Sequence, residues 1–422
     1  MSVQDLTQNL DVLSLNDDKH QKGQYFTTNI DLKKHINDLI LNNPSLILEP
    51  SIGQGDLVQY VSQEKENLSF DMYEIDESIE LLENINKDNV NYGDFLQQDI
   101  DKEYTTIIGN PPYVKTKHGN LYIDFIERCF HLLAEKGELI FIVPSDFLKL
   151  THSSKIINNM MEEGTFTHII HPNKENLFKE ANIDVIIFRY CKDTSLPKKC
   201  LVNNQEKYLI NTNGIITFSD NELLESIKTV KDYFDVYVGM VTGKEDVFKN
   251  ATYGNVTILN DKDKLDSYIL IDEFPTEKPS LNKYLLKHKL VLINRKIKKF
   301  NEDNWFQWGA LRNYNTIKEK LGKKCIYVKT LTRKSEVAFI GKVQLFGGGL
   351  LIMIPKEDTT ISNQQLQHIT SYLNCDDFKK NYTYSGRFKI GHKLLCNSLL
   401  NIPSYVIAVG NSKIITSNTT PR

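Results

Sequence analysis

Short apolar runs alternate with amphipathic stretches through the first half of the chain, and this alternation limits the fold more than any other feature. SLILEPS (45–51), FDMYEID (70–76), YTTIIGN (104–110), GELIFIVP (137–144), FTHIIHP (166–172) and IDVIIFRY (183–190) are strands by length and β-branched content. Between them DLVQYVSQEKEN (56–67), ESIELLENINKD (77–88), NLYIDFIERCFHLLAEKG (120–137) and SSKIINNMMEEG (153–164) carry helical spacing, and two of these end in a glycine stop signal. Such an order predicts an α/β fold, a doubly wound and mostly parallel sheet with helices on both faces. KYLINTNGIITFS (207–219) reads as hairpins at its margin.

Beyond residue 230 the pattern changes to irregular β-rich pieces such as FDVYVGMVTG and VQLFGGGLLIMIP with a few helices, a mixed α+β composition without internal repeats. A chain of 422 residues exceeds the usual single domain. The expected division is therefore 1–229 and 230–422, with the linker within 219–230. Charge divides at the same place: residues 230–422 hold 30 Lys and Arg against 18 Asp and Glu, whereas residues 1–229 hold 21 against 36. A basic half joined to an acidic half points to a polyanion as partner of the second. Hydrophobic residues at 40% and charged residues at 25% argue against disorder. No apolar run approaches the roughly 20 residues of a membrane span, and the first twenty residues lack a basic start and an apolar core, so a cytoplasmic protein without membrane contact is expected. Cys129, Cys191, Cys200, Cys325, Cys375 and Cys396 are widely separated, which predicts free thiols and no metal site.

Glu49-Pro50-Ser51-Ile52-Gly53-Gln54-Gly55-Asp56 follows the first strand and opens a helix. In an open α/β sheet ligands lie beyond the carboxyl ends of the strands, where glycines let the backbone approach them. One strand later Tyr73-Glu74-Ile75-Asp76 puts a carboxylate at a strand end, where it can accept from both ribose hydroxyls of a nucleoside or simply cap the next helix. Gly93-Asp94-Phe95 supplies a third strand end: Asp94 can accept from an adenine amine and Phe95 can offer a ring face.

Ile108-Gly109-Asn110-Pro111-Pro112-Tyr113-Val114 closes the fourth strand. A given tetrapeptide such as NPPY is expected at roughly one position in 160,000 if each residue type occurs near 5%, so chance explains it poorly. The Asn110 amide oxygen and the Pro111 carbonyl can both accept from one planar NH2 group, which fixes the nitrogen for in-line attack on a sulfonium methyl. Tyr113 can stack on the base that carries the amine.

In order, spacing and sequence these motifs resemble the gamma class of DNA adenine-N6 methyltransferases, which carry a C-terminal target-recognition domain. The resemblance spans about residues 22 to 405, strongly in the first half and loosely in the second. It implies S-adenosylmethionine as methyl donor, a Rossmann-like class I methyltransferase domain and double-stranded DNA as partner. It further implies that Gly23-Gln24-Tyr25-Phe26-Thr27-Thr28 closes over the methionine end with Thr27 in contact, and that Glu49 lies near the methionine amine. Ile52, Gly53 and Gly55 would shape the loop, Glu74 and Ile75 hold the ribose side, and Asp94 and Phe95 hold the cofactor adenine. Asn176-Leu177-Phe178 stands where family members carry an aromatic residue, so Phe178 would hold the flipped base against Tyr113.

A base stacked in a duplex cannot present N6 to a buried sulfonium, so such an enzyme rotates its target out at a cost of a few kcal/mol. The basic half has to offset that cost. Arg295, Lys298 and Lys299 in the stretch 294–299, the lysines of 320–324, and Lys329, Arg333 and Lys334 are candidate phosphate contacts. Arg387, within Asn381 to Lys389, is the preferred DNA contact, either to guanine or to phosphate. Alternatives are a protein glutamine methyltransferase, which also uses NPPY but lacks a basic half, an RNA adenine methyltransferase, and a DNA-recognition subunit without catalysis. Cleavage in a restriction-modification setting would belong to a separate endonuclease of the same specificity.

Overall fold

The computed structural model describes residues 25–400 apart from 117, 118, 173, 175, 176, 179–182, 221 and 223–227. Gly23, Gln24 and Asn176, much of the expected linker and residues 401–403 thus lie outside the described residues. The chain forms two compact units, Met1–Leu224 and Glu225–Arg422.

In the first unit the expected strands assemble into one ten-stranded sheet. It comprises β1 (Leu46–Glu49), β2 (Ser69–Glu74), β3 (Val90–Tyr92), β4 (Tyr104–Gly109), β7 (Leu133–Pro144), β8 (Thr165–Ile170), β9 (Val185–Cys191), β10 (Lys199–Val202), β11 (Gln205–Thr212) and β12 (Ile215–Ser219). A small separate hairpin, β5 (Lys115–Thr116) with β6 (Gly119–Asn120), precedes helix α3 (Leu121–His131). The order across the sheet is β12-β11-β10-β8-β9-β7-β4-β1-β2-β3. From β3 to β7 every neighbouring pair is parallel. β9 runs antiparallel between β7 and β8, and β11–β12 is the expected hairpin.

Ile107–Ile108 of β4 and Leu139–Val143 of β7 are apolar on both faces because helices cover both faces. Ile107, Leu139, Phe141 and Val143 join one core with Tyr122, Ile126 and Phe130 of helix α3 (Leu121–His131) and Ile157 and Met160 of α4 (Ser154–Glu163). The alternate residues Ile108, Ile140 and Ile142 join the other core with Leu32, Ile36 and Leu39 of α1 (Ile30–Leu39) and Leu57 and Val61 of α2 (Asp56–Glu64). β2 and β3 lie on one side of β1, whereas β4 and β7 lie on the other. That reversal opens a crevice at the carboxyl ends of β1 and β4, the place where such sheets take ligands.

One expected helix does not form. Residues 77–88 run as turns, followed by a short 3-10 turn at Lys87–Asn89. Glu77, Glu80 and Glu83 would align on one helical face and repel. The backbone bonds go elsewhere: the Leu82 amide donates to the Gln54 carbonyl, and Ile85 seats against Gly55, where a Cβ would lie 2.6 Å from its Cγ1.

The second unit centres on a fully antiparallel sheet, β13 (Phe234–Val238), β19 (Leu350–Pro355), β16 (Lys324–Lys329) and β18 (Ala338–Lys342), in that order. The hairpin β14 (Val256–Asp261) and β15 (Lys264–Tyr268) stands beside a core of Trp305, Trp308, Leu281, Leu285 and Leu292, the last three from α5 (Pro279–Ile293). Helix α6 (Asn363–Asn374), opened by a capping box between Ser362 and Gln365, buries Leu366, Ile369 and Leu373 against Ile326, Val328 and Met353. A short ribbon of β17 (Leu331–Thr332), β21 (Arg387–Lys389) and β20 (Thr383–Tyr384) completes it. Among the described residues no helix is long and apolar enough to cross a membrane.

Candidate active site

At the carboxyl end of β4 the paired prolines end the strand and leave Asn110 facing the crevice. Its Nδ2 donates to the Tyr25 carbonyl at 2.8 Å and to Thr27 Oγ1 at 3.1 Å. The Tyr25 carbonyl can only accept, so Oδ1 must turn the other way. There it accepts from the Tyr113 hydroxyl at 2.5 Å, with the Ile142 carbonyl 3.1 Å from the same hydroxyl. An amide oxygen has two lone pairs, so Oδ1 can accept a second hydrogen bond beside that from Tyr113.

Aromatic rings gather over this asparagine. Tyr25 lies 5.6 Å from Tyr113 and 5.9 Å from Phe178 between centroids, and Tyr113 meets Phe178 edge to face at 6.3 Å. Tyr113 and Phe178 are therefore neighbours, but their rings do not stand as parallel plates. Tyr122 packs edge-on to Tyr113 at 6.0 Å, and its buried hydroxyl meets no protein partner. Burial, with Tyr122 and Tyr25 nearby, raises the Tyr113 hydroxyl well above its usual range, so it remains a donor. Tyr25 and Tyr122 were not singled out from the sequence. The signal for Tyr25 was its place beside Thr27, while Tyr122 looked like any apolar helix position.

Glu49, at the end of β1, is 1% exposed. Its Oε1 accepts from the Ser51 amide at 3.3 Å, whereas Oε2 and the Ser51 hydroxyl are buried without protein partners. Burial pushes its carboxyl up to about 8 against the opposing pull of the Ser51 amide, and Glu74 adds to the rise. Glu74 ties the loop to β2: Oε2 accepts from the Gly53 amide at 2.9 Å, and Oε1 accepts from Ile75 and Asp76. Ile52 is buried beneath the loop, and Ile75, 67% exposed, stands clear of it. Asp94 caps the turn after β3, with Oδ1 accepting from the Leu96 amide and Oδ2 from Gln97 Nε2. Phe95 departs from expectation. It is 2% exposed, wedged between Tyr73 and Phe125, because the turn drives its ring into the core, and it offers no ring face.

In the second unit the basic candidates separate. Arg295 is 7% exposed and is not a surface contact. Its guanidinium donates to the carbonyls of Leu292, Thr242, Trp305 and Gln307 and lies 3.7 Å over the Phe300 ring. Five N–H donors suit it to gathering loop carbonyls, which a sequence pattern of adjacent cations does not reveal. Lys329 is likewise buried, paired with Asp261 at 2.9 Å. Lys298, Lys299, Arg333 and Arg387 are exposed.

The sequence profile of the Eco57I restriction-modification methylase family matches residues 13–178, a span holding every site residue described in the first unit. The type II methyltransferase M.MjaIV of Methanocaldococcus jannaschii is 30% identical over 206 residues, covering 42% of this chain and 67% of that protein. This chain belongs to the Eco57I-type restriction-modification methylase family. The type II methyltransferase M.HincII of Haemophilus influenzae is 24% identical over 369 residues, 77% of this chain and 71% of that protein. Among solved structures the type IIL restriction-modification enzyme MmeI, determined in complex with DNA, superposes with a TM-score of 0.55 at 11% identity. That superposition covers 92% of this chain and 65% of MmeI, and it places the chain in the same fold. Eco57I-type methylases draw the methyl group from S-adenosylmethionine. The unpartnered oxygens of Glu49 and Ser51 at the switch point, the backbone loop at Gly53 and the carboxylates at the ends of β2 and β3 fit that group.

Proposed function

We propose that this methylase transfers the methyl group to the N6 amine of an adenine rotated out of duplex DNA. The observation that carries the reading is the Asn110 amide, whose Nδ2 is held by the Tyr25 carbonyl and Thr27 so that its oxygen is turned away from both, in the same turn as the Pro111 carbonyl. Two acceptors on one rigid turn match the two hydrogens of a planar amine, and the asparagine is held before the substrate arrives. S-adenosylmethionine supplies an electrophilic sulfonium methyl. Glu49 would accept from its amino group, Ser51, Ile52, Gly53 and Gly55 would line its path, Glu74 would take the ribose with Ile75 beside it, and Asp94 would take its adenine amine.

Asn110 Oδ1 and the Pro111 carbonyl would hold the amine hydrogens and turn the nitrogen lone pair out of the ring; as N6–CH3 forms and S–CH3 breaks, S-adenosylhomocysteine would leave and one amine proton would pass to solvent. Tyr25, Tyr113 and Phe178 enclose the base and exclude water, with Tyr113 turning from its edge-on contact to lie against it. Residues 1–229 act as the catalytic domain and 230–422 as the recognition domain, with Lys298, Lys299, Arg333 and Arg387 toward DNA. A separate endonuclease of the same specificity completes the restriction-modification pair.

The test is transfer of labelled methyl to unmethylated DNA, followed by nucleoside analysis. N6-methyladenine that disappears with Asn110→Ala is expected. N4-methylcytosine instead would replace the adenine assignment, and label only in RNA or protein would sink the DNA reading.

A further inference from the structure

The ribbon β17-β21-β20 carries an arrangement that catalysis in the first unit does not use. Thr383 faces Phe388 and Tyr384 faces Arg387 across β20 and β21, while Leu331 faces Lys389 and Thr332 faces Phe388 across β17 and β21. Directly opposed residues share a face, and successive residues alternate. One face, Phe388 with Thr383 and Thr332, therefore turns inward, and Phe388 packs in the core against Tyr382. The other presents Arg387, Lys389, Tyr384 and Leu331.

A tight turn and three hydrogen bonds brace the hairpin. Ser385 and Gly386 both have left-handed backbone, φ +47° and +71°, the conformation of a tight two-residue turn. Glycine adopts it freely, but serine does so only where its surroundings impose it. Arg333 Nη1 donates to the Ser385 carbonyl at 3.1 Å and braces the tip. At the base Tyr382, buried, shares a hydrogen bond with Ser398 at 2.7 Å, and the Ile390 amide donates to the Thr330 carbonyl at 2.9 Å.

We propose that this hairpin is a base-reading finger: it enters the major groove with Arg387 forked onto a guanine, while Arg333 acts as a positioning residue that fixes the tip. The inference rests on the DNA-methyltransferase reading. A two-stranded ribbon fits the major groove, and a guanidinium matches the paired acceptors O6 and N7 of guanine. A rigid backbone favours reading over mere phosphate binding, because phosphate contact tolerates a mobile cation whereas a bidentate base contact needs a fixed fork. Lys389, two residues on and on the same face, takes the adjoining phosphate.

A duplex library with degenerate sequence is methylated by the wild type, Arg387→Ala, Arg387→Lys and Lys389→Ala, and methylated positions are read by sequencing. The wild-type site should contain a guanine whose preference weakens about 10- to 100-fold with either Arg387 variant, the other positions being unchanged. Arg387→Lys keeps the charge and the stem, so a folding failure of Arg387→Ala would not hide the result. Lys389→Ala should lower methylation evenly across sequences. An unchanged site with evenly reduced methylation in both Arg387 variants would overturn the finger and make Arg387 a phosphate contact. A wild type that methylates no DNA would bring down the parent reading with it, an outcome visible before any variant is compared.

Discussion

Glu49 shows how one buried carboxyl at the end of β1 couples the candidate site to stability. Its carboxyl lies near 8 in the folded chain against an ordinary 4.5. A raised folded value means stability that is fully present below about 4.5 and lost as pH climbs to about 8. Glu49→Gln removes that loss, so the stability of the variant relative to the parent, followed by melting temperature, should rise from pH 5 to pH 8 and then level, by about a few kcal/mol at most. Saturating S-adenosylmethionine should flatten the parent's curve by giving the carboxylate a cationic partner. Parallel melting curves across this range would refute the role of burial. Tyr25 offers a second test, because its carbonyl survives substitution while its ring does not. Tyr25→Ala should lower kcat/KM for DNA about 10- to 100-fold, the worth of one stacked base, and Tyr25→Phe should retain activity. Equal losses in both variants would assign the hydroxyl, not the ring. The strand-end residues were legible because each belongs to a short motif at the end of an apolar run. Tyr25 was not, since an aromatic residue outside any regular element has no periodicity to place it. Arg295 and Phe95 misled for the complementary reason: residue type signals a charge or a ring, but not the direction in which a loop turns it.

At the scale of elements, the sheet shows where reading by pattern ends. Apolar runs announced β4 and β7, yet nothing in IDVIIFRY says that β9 runs against both its neighbours. The acidic stretch at 77–88 has helical spacing but not a helix, because backbone bonding to the glycine loop and repulsion among its glutamates outweigh propensity. Away from the crevice, a buried pair fastens the centre of the sheet: Arg189 Nε donates to Glu138 Oε2 at 2.7 Å. Glu138 also accepts from the Leu41 and Asn42 amides and from the Thr106 hydroxyl. Its oxygens join β7 to the end of α1, to β4 and, through Arg189, to β9. Arg189→Ala leaves this carboxylate buried and unpaired and should cost about 3–5 kcal/mol in denaturant titration. A loss under 1 kcal/mol would show that solvent reaches the pair.

For the whole molecule, the contrast between an acidic half and a basic half fixes how DNA binding should respond to salt. If the second unit contacts DNA as proposed, each phosphate it neutralises releases counterions, so log affinity should fall with log salt by about 0.9 per contact. Net charge alone overstates the number of such contacts, because Arg295 and Lys329 are spent inside the fold. Lys298 and Lys299 remain exposed, on the turn that directly follows Arg295 in sequence. Replacing both lysines with alanine should weaken binding evenly across sequences and reduce the salt slope by about 2. Arg295→Ala should instead lower the melting temperature of the second unit, since it strips four carbonyls of their donor and a ring of its cover. Binding titrations from 50 to 200 mM salt, run with melting curves on the same samples, separate the two roles. A salt slope that the double lysine variant leaves unchanged would move the phosphate track off the 294–299 turn, and an Arg295 variant that melts with the parent while losing slope would return that arginine to the DNA.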